Sequence, residues 1–170
     1  EEGLSTFWYK NGNKRSELPY KNGELNGLRT WWYKDGTKSL ETHFKNDEKD
    51  GLETQWYEDE VILDLHLIGG GKHYEIHYKN GKHHGLETKW YRSGEKKKER
   101  YFKNGQYDGS DTNWFRNGQK GSVIYFKKGV KDGLWTYWTE SGKKSLEKHF
   151  KNGEREGVYK EWYKSGKKKL

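Results

Sequence analysis

Cysteine is absent from the 170 residues, which excludes disulfides, thiol nucleophiles and cysteine-held metals and leaves the redox compartment open. Methionine is absent too, position 1 included, so the chain is expected to be a processed or excised product with any leader or neighbouring domain out of view. Aliphatic side chains are scarce. Hydrophobic residues make up 29% of the chain against 35% charged, with a mean hydropathy of −1.43, a balance that ordinarily belongs to disorder. No apolar run is long enough to cross a bilayer.

Aromatic residues stand against disorder. They form 16% of the chain, with nine Trp and thirteen Tyr, and each ring buries roughly 150–250 Å² when packed, enough to replace missing Leu, Ile and Val. The chain is therefore expected to fold around a thin aromatic layer. Its net charge is +8, from 34 Lys and Arg against 26 Asp and Glu. The two signs are interleaved almost everywhere, which points to an ion-paired, solvated surface and argues against a nucleic-acid partner. Only Lys96–Lys98 and Lys167–Lys169 concentrate charge.

A 24-residue unit recurs, starting at Gly3, Gly27, Gly51, Gly85, Gly109, Gly133 and Gly157, with ten extra residues in the interval after Gly51. Seven tandem units are expected, the last stopping at Leu170, in one domain spanning 1–170. Five residues after each glycine stands Trp8, Trp32, Trp56, Trp90, Trp114, Trp138 or Trp162. Leu or Val usually sits one residue after the glycine and Thr three after, so these share a face with Trp in an extended strand. The seven tryptophans are expected to be the buried core, stacked as a ladder.

Asn-Gly, Asp-Gly and Ser-Gly pairs then mark a turn, followed by a lysine in every unit. Six residues beyond it comes Tyr20, Phe44, Tyr78, Phe102, Phe126 or Phe150. Parity places this ring with the lysine, and puts Glu17, Glu41, Glu75, Glu99 and Glu147 on the other side. A second strand closes with Lys-Asn-Gly, as in Lys79-Asn80-Gly81. Strand and hairpin alternate with no crossover long enough for parallel pairs, so the expected fold is all-β, an elongated antiparallel β-meander growing by two strands per unit. Each unit should advance roughly 9–10 Å, for a ribbon on the order of 65 Å.

The segment Tyr78-Lys79-Asn80-Gly81-Lys82-His83-His84-Gly85-Leu86-Glu87-Thr88-Lys89-Trp90-Tyr91 resembles the MORN repeat, specifically its variant in bacterial YwqK-like antitoxin proteins. The resemblance covers the chain except 61–70. It implies an elongated β-meander without catalytic residues or cofactors, and roles in protein interaction. An antitoxin or immunity role belongs to some bacterial members, and membrane-lipid contact is proposed for others.

Several residues are candidates for contact. The insertion at 61–70 holds the one strong aliphatic cluster, with Val61, Ile62, Leu65 and Leu67, and reads either as a binding hairpin or as a strand pair patching the core; apolar loops usually pack, which favours the second. On the strand face away from the tryptophans lie Phe7, Trp31, Trp135, Tyr137 and Tyr159, either as exposed rings for a protein or glycan or packed on tyrosines such as Tyr9 and Tyr33. His66, His73, His77, His83 and His84 crowd together, but His43 and His149 occupy the repeat position of His77, an ordinary surface position, so no metal is assigned. The lysine and glutamate columns read as charge ladders that blunt edge-to-edge aggregation. No Ser-His-Asp order, carboxylate pair or phosphate loop stands out, so the chain is read as non-enzymatic. Its partner is expected to be another protein, toxin-like in an antitoxin, or host protein, glycan or membrane in a secreted adhesive module. The location reads either as the bacterial cytoplasm or as secreted or cell-surface.

Overall fold

The computed structural model describes residues 2–59, 70–157 and 159–169. These form β-strands and turns, with no helix among the described residues. The chain divides into two compact units, residues 1–85 with 92–94, and residues 86–91 with 95–170.

The first unit carries β1 (Gly3–Trp8), β2 (Lys14–Lys21), β3 (Glu24–Leu25), β4 (Gly27–Trp32), β5 (Lys38–Lys45), β6 (Glu48–Trp56) and β7 (Lys72–Lys79). They pair in the order β1-β2-β4-β5-β6-β7, with the short β3 against β2. The residues of β8 (Lys82–Trp90) are divided between the units. The second carries β9 (Lys96–Lys103), β10 (Gln106–Trp114), β11 (Lys120–Lys127), β12 (Val130–Lys131), β13 (Gly133–Trp138), β14 (Lys144–Lys151), β15 (Glu154–Arg155) and β16 (Lys160–Glu161). Its order is β9-β10-β11-β13-β14-β15, with β12 on β11 and β16 on β14. The fold is an all-β antiparallel meander, as the alternation of strand and turn residues requires.

Two different turns build it. At Asn22-Gly23, Asn80-Gly81, Asn104-Gly105 and Asn152-Gly153 both residues have positive φ, which is the two-residue hairpin whose twist matches the strands it joins. The turns after the tryptophans are of another kind: Gly12 and Gly36 adopt positive φ while Asn11 and Asp35 do not. There the Gly12 amide donates to the Tyr9 carbonyl, and the Tyr9 amide to the Asn13 carbonyl.

That second turn ends in a bulge, and the bulge changes which side chains meet. In β4–β5, Trp31 faces Leu40 but Trp32 faces Lys38, leaving Ser39 unopposed. The same shift leaves Arg15, His73, Gly121 and Ser145 unopposed. One extra residue inverts the alternation. The parity expectation for the second strand is therefore corrected: lysine and glutamate share a face, and the Tyr20 and Phe44 rings lie on the other. Lys14 bonds Glu17, and Lys38–Glu41, Lys72–Glu75 and Lys96–Glu99 each pair at 2.5 Å.

At Gly51 and Gly109 the glycine that opens the repeat has two reasons to be glycine. Gly109 sits at φ 124°, and a Cβ there would lie 3.0 Å from the Tyr101 Cβ; Gly51, at φ 116°, meets the His43 Cβ at 3.0 Å.

The expected tryptophan core is half-buried rather than buried. Trp32, Trp56, Trp90, Trp114, Trp138 and Trp162 are half-exposed, and Trp8 is 59% exposed. Ile76 is the one hydrophobic side chain buried among the described residues. No second sheet or helix among those residues covers the strands, so a ring is shielded only by its neighbours along the sheet. The buried members of the tryptophan face are small: Thr30, Thr54, Thr88, Thr112 and Thr136. Each threonine for which both neighbouring strands belong to its unit lies between side chains of both: Thr30 and Thr54 between paired glutamates, Thr112 between Glu99 and Val123, and Thr136 between Val123 and Glu147.

Bonds between consecutive 24-residue segments run along both rims. Tyr9, Tyr33 and Tyr91 each donate a hydroxyl at 2.8 Å to the carbonyl of the following tryptophan, at Trp32, Trp56 and Trp114. At the other rim the Gly81, Gly129 and Gly153 amides donate to the Lys49, Tyr107 and Lys131 carbonyls. Asp50 and Asp132 accept from the Asn80 and Asn152 amides of the next turn.

Candidate binding faces

Away from the tryptophans, each unit has a face of rings set by the bulge, from β2, β5 and β7 in the first unit and from β9, β11 and β14 in the second, with the side chains opposite them. In the first unit its outer part is a small aromatic and basic hollow. Phe7, Arg15, Ser16, Leu18 and Trp31 line a cavity of about 220 Å³. The Arg29 guanidinium lies 4.8 Å from the Trp31 ring centre and 5.9 Å from that of Phe44, and Arg15 lies 5.9 Å from Trp31. Phe7 is 52% exposed. Neither arginine makes an ion pair among the described residues.

Further along the same face the chemistry changes. Glu53 is 3% exposed and accepts from Thr42 Oγ1 at 2.9 Å, Lys49 Nζ at 2.5 Å and Tyr74 Oη at 3.2 Å. Tyr78 Oη stands 3.5 Å away and accepts or donates toward His83 Nε2 at 3.0 Å. Burial holds the Tyr78 phenol above its usual range, with the Glu53 charge adding to the effect. A carboxylate held by this many donors is structural, since no open approach to it remains.

The second unit repeats the pattern with other residues. Phe102, Tyr107 and Phe126 stack at 4.8 and 5.2 Å, and Asp111 is held by Lys98 at 3.3 Å and Arg100 at 3.6 Å. Then Trp135 packs on Phe150 at 4.4 Å and edge-on to Tyr137 at 6.5 Å, with Lys131 Nζ 4.5 Å from the Trp135 ring centre. Lys148 and Arg155 approach the ring of Tyr159 at 5.4 and 5.9 Å. Tyr159 is 43% exposed, donates its hydroxyl to Glu161 and lines a cavity of about 440 Å³ with Lys168 and Lys169. Burial raises the Tyr137 phenol, as does the charge of Asp111. The indole N–H groups of Trp31 and Trp135 are buried without an acceptor among the described residues, a cost of roughly 1–3 kcal/mol each.

These positions recur in register at 24-residue intervals, on an all-β meander whose turns carry Lys-Asn-Gly and Trp-Tyr-x-x-Gly. The MORN repeat variant family matches five segments, residues 1–22, 25–46, 84–104, 131–152 and 155–170. This chain belongs to the MORN repeat variant family. MORN repeats are in general scaffolds that bind proteins or membranes, of a non-catalytic type. No curated protein matches the chain.

Against that family background the sequence candidates separate. Phe7 and Trp31 meet in one hollow, Trp135 and Tyr137 meet in a ring cluster with Phe150, and Tyr159 lines a separate cavity with Glu161, Lys168 and Lys169. Of the tyrosines expected to pack with these rings, Tyr9 and Tyr33, like Tyr91, donate their hydroxyls at the rim to the tryptophan carbonyls. Val61, Ile62, Leu65 and Leu67 lie outside the described residues, as does His66. His73 bonds Gln55 and stacks on Tyr57 at 4.4 Å, and among the described residues no three potential ligands converge on a metal position. Sequence reasoning missed the basic partners Arg15, Arg29, Lys131 and Lys148, and the ring of Phe150. The column of Phe44 and Phe150 was visible, but an unforeseen bulge put it on the wrong side.

Proposed function

We propose that this MORN-repeat chain, read as seven copies of its unit, is a non-enzymatic scaffold that binds another protein through its basic aromatic clusters around Trp31 and Trp135. The observation that carries the reading is the arrangement around Trp135: an indole, Phe150 and Tyr137 with Lys131, Lys148 and Arg155, cations that make no ion pair among the described residues. Large rigid rings beside cations are the side chains that supply most of the energy at protein interfaces, since they bury area at little entropic cost. Charges of both signs interrupt this face, which suits a shaped protein surface better than a continuous phosphate track. The likeness of the repeat to those of YwqK-like antitoxins supports a toxin as the partner class.

The test is affinity capture from the source cells with the wild-type chain and the substitutions Trp31→Ala and Trp135→Ala. Both variants should unfold cooperatively, and at least one should retain less than a tenth of the captured partner. Equal capture by all three chains sinks the assignment of these clusters.

A further inference from the structure

In five of the seven repeats the lysine that follows the tryptophan turn is held by a glutamate three residues on: Lys14 by Glu17, Lys38 by Glu41, Lys72 by Glu75, Lys96 by Glu99 and Lys144 by Glu147. In β11 the pattern breaks. Lys120 is followed at that spacing by Val123, and it makes no ion pair among the described residues. Val123 occupies the glutamate position in register, opposite Thr112 on one side and Thr136 on the other. At the same place a cavity of about 370 Å³ opens, lined by Trp114, Gly118, Gln119, Lys120, Trp138 and Gly142. Two half-buried indoles and one unpaired ammonium thus share a hollow on the tryptophan face of the second unit.

We propose that Lys120 and this hollow receive an acidic side chain of a protein partner, whose carboxylate takes the place that glutamate holds beside the other lysines of the column. A carboxylate is the complement that the rest of the column shows for this ammonium, and a charge-assisted bond of this kind is short and directional. The walls of Trp114 and Trp138 take the apolar stem or ring beside it, and the Gln119 amide reaches its backbone. At about 370 Å³ the hollow holds one side chain and its neighbour, not a polymer track. This contact lies on the opposite face from the ring cluster around Trp135 and rests on the scaffold reading only in taking the partner to be a protein.

The experiment follows the indole N–H signals of the full chain by NMR as acetyl-Tyr-Glu-amide is added, with acetyl-Tyr-Gln-amide as control. The expected result is saturable shifts at Trp114 and Trp138, at least fivefold weaker for the glutamine peptide. Lys120→Gln should lose the response. Val123→Glu should lose it as well, by supplying the missing carboxylate internally, while its unfolding midpoint stays level or rises. The proposal is overturned by undiminished binding to Val123→Glu, by equal binding of the glutamine peptide, or by preferential binding of a uronic acid disaccharide. Shifts confined to Trp31 and Trp135 overturn it too, yet leave the scaffold reading standing.

Discussion

At the scale of single residues, the strongest constraint is a buried carboxylate, Glu53, where Ile76 is the one buried hydrophobic side chain among the described residues. Glu53 is nearly sealed from water and satisfied by Thr42, Lys49 and Tyr74, so removing it strands donors that were placed for it. Glu53→Ala should cost about 3 kcal/mol, read as a fall in the urea midpoint with unchanged slope. The exposed pairs behave differently. Lys144 donates to Glu147 and holds its carboxyl below the usual glutamate range, with Lys160 adding to the effect. A depressed folded pKa contributes stability above the unfolded value that is lost as pH falls through the folded one. Acid unfolding midpoints measured downward from pH 5 should therefore show a shallower decline in Glu147→Gln than in the parent chain. The effect is small, because Lys144 is half in solvent and screened.

Strands and turns carry the next level of constraint. A glycine matters here for its backbone angle, its lack of Cβ, or both, and two positions separate these causes. Gly94, at φ 97°, has open space around a built Cβ, whereas Gly109, at φ 124°, would meet Tyr101 at 3.0 Å. Gly94→Ala should cost about 1 kcal/mol and Gly109→Ala about 2–3 kcal/mol, measured by chemical denaturation. The bulge is the element that decides the faces. Its signature was the spacing from tryptophan to lysine, legible as a turn but not as an inverted alternation, because a bulge costs one residue and leaves composition unchanged.

Across the whole molecule, stability resides in neighbour-to-neighbour terms, as the rim bonds from tyrosine to the next tryptophan carbonyl show. Tyr33→Phe and Tyr91→Phe should each cost about 1 kcal/mol. These tyrosines share no partner, so the double variant should equal the sum within about 0.5 kcal/mol in equilibrium unfolding. Coupling well beyond that margin would show the repeats acting less locally than these bonds imply.

The repeat length, the antiparallel meander and the hairpin at Lys-Asn-Gly were determined by sequence alone. Glycine, asparagine and a fixed spacing act through local backbone preference, which needs no distant partner. The depth of the tryptophans and the face carrying Phe44 and Phe150 were decided only in the folded chain. So was the meeting of Trp31 with Arg29, and of Trp135 with Lys131. Burial depends on what lies over a ring, and without a second layer among the described residues a large indole stays half in water while a threonine between neighbouring strands is covered. Which cation reaches which ring depends in turn on a one-residue shift between paired strands, and that shift exists only once both strands are in place.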